Sequence, residues 1–464
     1  MNGLELQDVG AVLNVDEAND RISRLPNCVL QYILSFLPTK EAVATSMLAR
    51  RWRDIWTAVP VVDFDDSMLY SDRLNSWHPI EITRFMNFVE RVLLLRDASK
   101  IERFRLSCRV CFSASHVHAW ILEAIRHGVQ ELDLCLFVEE TFLLPHCVYN
   151  CGTLTSIKLE MNCVLQLPSI ISFPSLKSLH LGLVTFPDDI STQRLFSFCP
   201  VLEELAILDC DWTNLKSIVI SIPSLKSLII DDLPVFDSSD YFRDCEIKID
   251  AGNLIFWKYR GYLVNEIHLT NVSSLVKASL HIPVLHQAKN PLMHLRLLKM
   301  FCELKNVSTL GISSCTLESL YVAEQMPSNL PVFQKVTHLE LTMQLGLHAG
   351  GALMKFLLHL PNLELLSLSK GLDPLMCLTE GDWTPQSASK CFMSSLKTVV
   401  LQNFHGNNTE VCLLKSLMKH AFSLERINVF RHKSPSGYSE EQEDWRNQLQ
   451  SLSRVSESCV IMFF

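Results

Sequence analysis

The sequence predicts an α/β solenoid preceded by a small three-helix unit. Three observations carry that reading. A short apolar pattern, L-x-x-L-x-L, recurs thirteen times between Ile101 and Leu424. Its mean period is about 27 residues, the spacing of stacked strand-and-return repeats. Ahead of it, residues 20–60 hold three short helical signals in a stretch too short to close a core alone.

The elements follow in chain order. Residues 1–19 are acidic and unpatterned, and are predicted disordered. Leu25-Pro26 then sets an extended entry, because proline biases its predecessor out of the helical region. Val29, Leu30, Ile33, Leu34 and Leu37 form one stripe of an amphipathic helix, which Pro38 stops. Thr39 is placed to cap a second, very short helix through Ala44, with Glu41 in its first turn. Ser46 is placed to cap a third. That helix puts Leu48, Trp52, Ile55 and Trp56 on one side and Arg50, Arg51 and Arg53 near the other. So much apolar surface on so small a unit calls for a partner, in this chain or another.

The same stretch, DRISRLPNCVLQYILSFLPTKEAVATSMLARRWRDIWTAVP, resembles an F-box of the plant type, without a gap. Asn27 stands where an acidic residue is usual, Cys28 where a polar one is common, and Ala49 where serine is typical. None of the three removes an apolar position. An F-box implies docking onto a Skp-type adaptor, and through it onto the cullin and RING protein of a ubiquitin ligase. Carried over from the F-box pattern, the adaptor-contacting set is Leu25, Pro26, Ile33, Leu34, Leu37, Pro38, Val43 and Leu48. Trp52 and Trp56 join it, with a packing role at the junction to the array as their other reading.

Residues 61–99 start the array. Val61 to Phe64 reads as a strand, and Glu81 to Ala98 as a helix with Phe85, Phe88, Val89, Val92 and Leu95 on one face. Residues 100–384 carry most of the repeats, from IERFRL at Ile101 through VQELDL, LTSIKL and LKSLHL to LELLSL at Leu363. In each, the framework residues point into the stack and the residue between the last two points outward, because strand side chains alternate. A single repeat cannot bury its face, so neighbours stack. Four repeats start after a proline (Pro174, Pro200, Pro223, Pro361), which suits a turn. Many lack the asparagine of regular leucine-rich repeats, so an irregular leucine-rich-repeat array is expected, and this too resembles plant F-box proteins.

Residues 385–464 resemble an FBD module. The residues that carry this are Cys391, Ser394-Ser395-Leu396-Lys397, Asn403-Phe404, Gly406, Glu410 and the run VCLLKSLMKHAFSLERINVF. The resemblance implies no biochemical activity. The residues themselves read as the end of the array: LKTVVL and LERINV around a helix from Val411 to His420, closing an open end that any solenoid must cap. RHKSPSGYSEEQEDW is expected to be a solvated excursion before a final helix and a last strand, CVIMFF.

Composition narrows the function classes. The 464 residues are 48% hydrophobic and 20% charged, with a formal net charge of −9. That balance argues against nucleic-acid binding, which needs a basic face. The sixteen cysteines lie in apolar runs, and the N-terminus has neither the basic start nor the apolar core of a signal peptide. They are expected to be reduced thiols, and the sequons at Asn271, Asn306 and Asn407 to be unglycosylated. No apolar stretch is long enough for a membrane span. The expected location is cytoplasm or nucleus.

Cys108 and Cys111 with His116 and His118 form the best zinc-like constellation. The cysteine spacing puts the pair on opposite faces of a strand, and no second CxxC follows, so buried thiols are the preferred reading. No nucleophile, phosphate-loop or metalloprotease motif occurs, so a non-catalytic chain without cofactor is expected. Trp212, Phe236, Tyr241, Trp257, Tyr259, Tyr262 and Trp383 are the array aromatics, and core packing is the first reading for each. Together the resemblances imply the substrate-recognition subunit of a Skp-cullin-F-box ubiquitin ligase, its array binding a target protein. A receptor that needs a small molecule, and a repeat scaffold without ligase assembly, stay open as alternatives.

Overall fold

The computed structural model describes residues 21–69, 79–109, 113–137, 142–233, 245–283, 291–322, 330–342, 349–370, 393–431 and 459–464. The segment 1–19, Cys111, Phe236, Tyr241, Trp383, Cys391 and the excursion after Arg431 lie outside them. The chain divides into two compact units, Met1–Val184 and Thr185–Phe464.

The first unit begins with α1 (Asn27–Leu34) and α2 (Thr39–Ala44). The third helix expected from Ser46 is instead three separate 3-10 turns, Thr45–Met47, Arg50–Trp52 and Ile55–Ala58. Ala49 is the reason: its backbone is extended (φ −159°), which breaks any helix through it. Nor does Thr39 cap α2. The N-cap is Pro38, while the Thr39 hydroxyl is buried and accepts the Asp63 amide (2.7 Å). That bond ties the helical unit to the first strand.

The strands follow as β1 (Val61–Asp65), β2 (Arg103–Cys108), β3 (Glu131–Leu136), β4 (Ser156–Met161) and β5 (Ser178–Gly182), each parallel to the next. Two helices return between them, α3 (Pro79–Leu95) and α4 (Ala114–Arg126). Phe85, Val89 and Val92 of α3 are buried as the stripe predicts, but Leu95 is exposed and Leu93 buried in its place.

The second unit opens with α5 (Asp189–Ser197) and β6 (Glu204–Leu208). Its main sheet runs on through β8 (Ser227–Asp232), β10 (Phe256–Gly261), β12 (Lys277–His281), β13 (Thr309–Ile312), β14 (His338–Leu341), β15 (Leu365–Leu368), β16 (Thr398–Phe404), β17 (Arg426–Arg431) and β18 (Val460–Phe463), all parallel. β7 (Ser217–Ser221), β9 (Glu246–Asp250) and β11 (Glu266–Thr270) form a second parallel sheet of three. The returns here carry α6 (Pro291–Glu303), α7 (Ser314–Val322), α8 (Ala349–Leu357) and α9 (Asn408–His420).

All thirteen motifs become strands, and the first residue of each, from Ile101 to Leu424, is buried. The stacking has a repeated polar joint. Ahead of most main-sheet strands one carbonyl accepts two amides of the following repeat: Glu102 from Gln130 and Glu131, Lys226 from Ile255 and Phe256, Glu364 from Lys397 and Thr398. The backbone at each strand entry is thereby satisfied by its neighbour, as buried peptide groups must be. Irregularity shows at strand exits, where Leu183, Asp209, Leu263 and Asn271 adopt positive φ. For leucine this conformation is costly, on the order of 1 kcal/mol.

Trp257 and Tyr259 are fully buried and stacked, their rings 6.3 Å apart. Gly261 makes that possible. A Cβ there would come within 2.8 Å of the Tyr259 hydroxyl, which accepts the Leu263 amide instead. α9 starts with a reciprocal cap: Asn407 accepts the Glu410 amide, and the buried Glu410 carboxylate accepts the amides of His405, Gly406 and Asn407. Two of the three sequon asparagines thus have structural work, since Asn271 also donates to Asp250 (3.1 Å).

Candidate functional site: the outer face of the helical unit

α1 buries Leu30 and Leu34 against the turn Ile55–Ala58, where Ile55, Trp56 and Val59 complete a small core. Side-chain bonds fix its entry. Arg51 Nη2 donates to the Leu25 carbonyl (2.6 Å) and to Asn27 Oδ1 (3.1 Å), and Trp52 Nε1 donates to Ser23 Oγ (2.7 Å). The amide at position 27 thus does the accepting work of the usual carboxylate without its charge.

The ten residues expected at the adaptor divide by placement. Pro26, Ile33 and Leu48 are exposed, and Leu25, Leu37, Pro38 and Val43 are half-buried. Leu34, Trp52 and Trp56 are buried inside the unit, so as placed they hold its shape and do not face a partner. For both tryptophans, packing prevails over surface contact. Others take the outer face. Tyr32 and Phe36 touch edge to face (5.0 Å), with Phe36 71% exposed, and Met47 and Leu48 are 86% and 71% exposed. Val29, Ile33 and Phe36 recur at helical spacing along the same side. The apolar residues outside the main stripe, Tyr32 and Phe36 at i and i+4, were the available signal for this second face.

The outward rows of the sheets form the other large surface. In the first unit one row reads Asp63, Arg105, Asp133, Lys158 across adjacent strands. Its charges pair with one another: Arg105 with Asp63 (3.1 Å), Asp65 (3.6 Å) and Asp133 (3.7 Å), and Lys158 with Asp133 (3.8 Å). Burial raises the Asp63 carboxyl against the pull of Arg105. The second unit is different. Lys277 reaches across Gly311 to Glu340 (3.3 Å) and Arg260 pairs with Asp231 (3.3 Å), but among the described residues no ion pair engages Lys258 or Lys370.

The zinc-like residues are not brought together as a described site. Cys108 is buried, and its thiol is pushed well up by burial and then by Asp66. His116 lies on α4 beside Glu90 (3.6 Å). Among the described residues no group of three His, Cys, Asp or Glu is placed to hold a metal, no disulfide links the cysteines, and no helix is long and apolar enough to cross a membrane.

Fold and surface define a class: a leucine-rich-repeat array preceded in the chain by a small helical unit with an exposed apolar face. Comparison with known proteins agrees. The F-box domain family matches residues 22–63, the leucine-rich repeats described for FBD-associated F-box protein At5g56370 match 117–245, and the FBD family matches 384–429. Similar curated proteins include F-box/LRR-repeat protein At4g14103 of Arabidopsis thaliana, 32% identical over 76% of this chain and 92% of its own. Another is F-box/FBD/LRR-repeat protein At5g56420 of the same organism, 28% identical over 96% of this chain and 99% of its own. The chain belongs to the plant F-box/FBD/leucine-rich-repeat family. Members of that family generally serve substrate recognition in Skp-cullin-F-box ubiquitin ligases and are typically non-catalytic adaptors, and an F-box implies binding to a Skp-type adaptor.

Proposed function

We propose that this chain is a substrate-recognition subunit of a Skp-cullin-F-box ubiquitin ligase. Its F-box docks on the Skp-type adaptor, which brings cullin and RING protein, and its array holds a target protein. One observation carries the reading: a unit with its own small core leaves Tyr32, Ile33, Phe36, Met47 and Leu48 in solvent on the other side. Exposed apolar surface of that kind marks a binding face. The docking set is Pro26, Ile33 and Leu48 with Tyr32, Phe36 and Met47, rimmed by the half-buried Leu25, Leu37, Pro38 and Val43.

This chain performs no bond-making step in the proposal. It raises the concentration of target lysines near a charged ubiquitin carrier, an effect of proximity. It would act in the cytoplasm or nucleus, where the target and the ligase core meet. Pulldown on an immobilised Skp-type adaptor is the test. The intact chain is retained and a chain lacking residues 20–60 is not; failure of the intact chain to bind contradicts the proposal.

A further inference from the structure

We propose that the outward sheet face of the second unit, around Lys258, Arg260, His281 and Lys370, docks an extended, carboxylate-rich segment of the target protein. The proposal rests on the reading of the chain as a target receptor and names the chemistry that its array selects.

Strand register places the group. Lys258 and Arg260 are outward residues of β10, and His281 is the register partner of Arg260 on β12. Lys370 lies two residues past the end of β15. Among the described residues, counter-charge at this place is thin. Asp231 is committed to Arg260, and Glu340 to Lys277 with a further hydrogen bond from Ser369 (3.1 Å). Lys258 and Lys370 have no carboxylate among the described residues, in a chain whose net charge is −9. The local field registers on His281. Its ring is held below the ordinary histidine value by burial first and by Arg260 next, with Lys258 and Lys370 adding to this and Asp231 alone opposing. Such a ring is neutral near pH 7 and can donate or accept a hydrogen bond beside the cations.

Spacing selects the occupant. β10, β12, β13, β14 and β15 are successive neighbours. Four strand steps of about 4.8 Å set the two lysine-bearing strands roughly 19 Å apart. An extended peptide rises about 3.3 Å per residue, so about six residues bridge them with acidic side chains distributed along the way. Between them, Ser279, Gly311 and Glu340 continue the row of Lys258 across β12, β13 and β14. The corresponding row of the first unit offers no such place, because Arg105 and Lys158 already hold their own acids.

Fluorescence anisotropy of full-length chain with labelled hexaglutamate is the test, with hexaglutamine and inorganic phosphate as the other arms. Hexaglutamate is expected to bind and to weaken steeply with salt, hexaglutamine not to bind, and phosphate not to compete at millimolar concentration. Lys258→Glu with Lys370→Glu is expected to weaken hexaglutamate binding at least tenfold. Lys226→Glu, at a lysine paired with Glu203, leaves it within twofold. The double glutamine variant, Lys258→Gln with Lys370→Gln, gives the same direction without charge reversal and guards against a folding defect, read by its melting temperature. Undiminished binding in both double variants, no binding by wild type, or stoichiometric displacement by phosphate overturns the proposal. Adaptor pulldown on the same preparations separates the two claims. Retention on the adaptor with no effect of the lysines sinks the acidic-segment proposal alone, whereas loss of adaptor binding by wild type sinks the receptor reading.

Discussion

The F-box and the repeat array bury apolar residues by opposite strategies. In the array each strand gives its framework side chains to the next repeat, and most strand residues left outward are polar or charged, with Ile229, Phe256 and Leu365 among the exceptions. The F-box has too few residues to do this. It closes a core of Leu30, Leu34, Ile55, Trp56 and Val59 on one side and leaves Phe36, Met47 and Leu48 in solvent on the other. Stability in the array is a matter of neighbours within the chain. The outer face of the F-box contributes little to folding, and in the proposed function it is the face that meets the adaptor. A substitution in one region should therefore be read by unfolding, and in the other by binding.

The comparison breaks most visibly at Trp257. Truncation to alanine removes a fully buried ring stacked on Tyr259 and should cost about 3–5 kcal/mol, measured by urea unfolding, with adaptor affinity unchanged. Leu34→Ala comes next, at about 2–5 kcal/mol for a buried leucine. It should loosen the F-box and weaken the adaptor contact together, since it acts through the shape of the unit. Phe36→Ala separates the two effects. Its ring is exposed, so the unfolding midpoint should stay put while adaptor binding falls by about 2 kcal/mol, roughly thirtyfold.

The smallest effect concerns a helix cap. Asp188 accepts the Ser191 amide (2.8 Å) at the start of α5, and these bonds to Ser191 hold its carboxyl below the ordinary value of 3.8. A depressed acid stabilises the fold when charged. That contribution is full above the unfolded value and is lost as pH falls through the lower native one. Asp188→Ala should cost about 1 kcal/mol near neutral pH, and the difference from wild type should vanish in strong acid. A gap that persists unchanged at low pH would mean that the charge plays no part.

The array was largely legible because its signal is local. Inward residues at positions one, four and six of each motif mark strand and face at once, and Trp257 and Tyr259 fell on those positions. The second sheet was not legible. SIVIS, EIKID and EIHLT alternate over only five residues and lie where returning segments were expected, and each finds its partner in the return of a neighbouring repeat, outside its own motif. Within the F-box, helical spacing suggested one helix over Leu48 to Trp56. The bonds of Arg51 to Leu25 and of Trp52 to Ser23 tie that region to the entry and favour separate turns. Trp52 and Trp56 read equally well as surface or core in sequence, since only the tertiary fold says which side of a short turn is covered. The charge imbalance between the outward faces of the two units depends on pairing across strands, which no single motif records.

Calorimetric titration of the full-length chain with a Skp-type adaptor tests the central claim most directly, comparing wild type with Phe36→Ala combined with Leu48→Ala. The account predicts that the double variant melts within about 2 °C of wild type, as exposed substitutions should, and binds the adaptor at least a hundredfold more weakly. Equal affinity in the two proteins would contradict it.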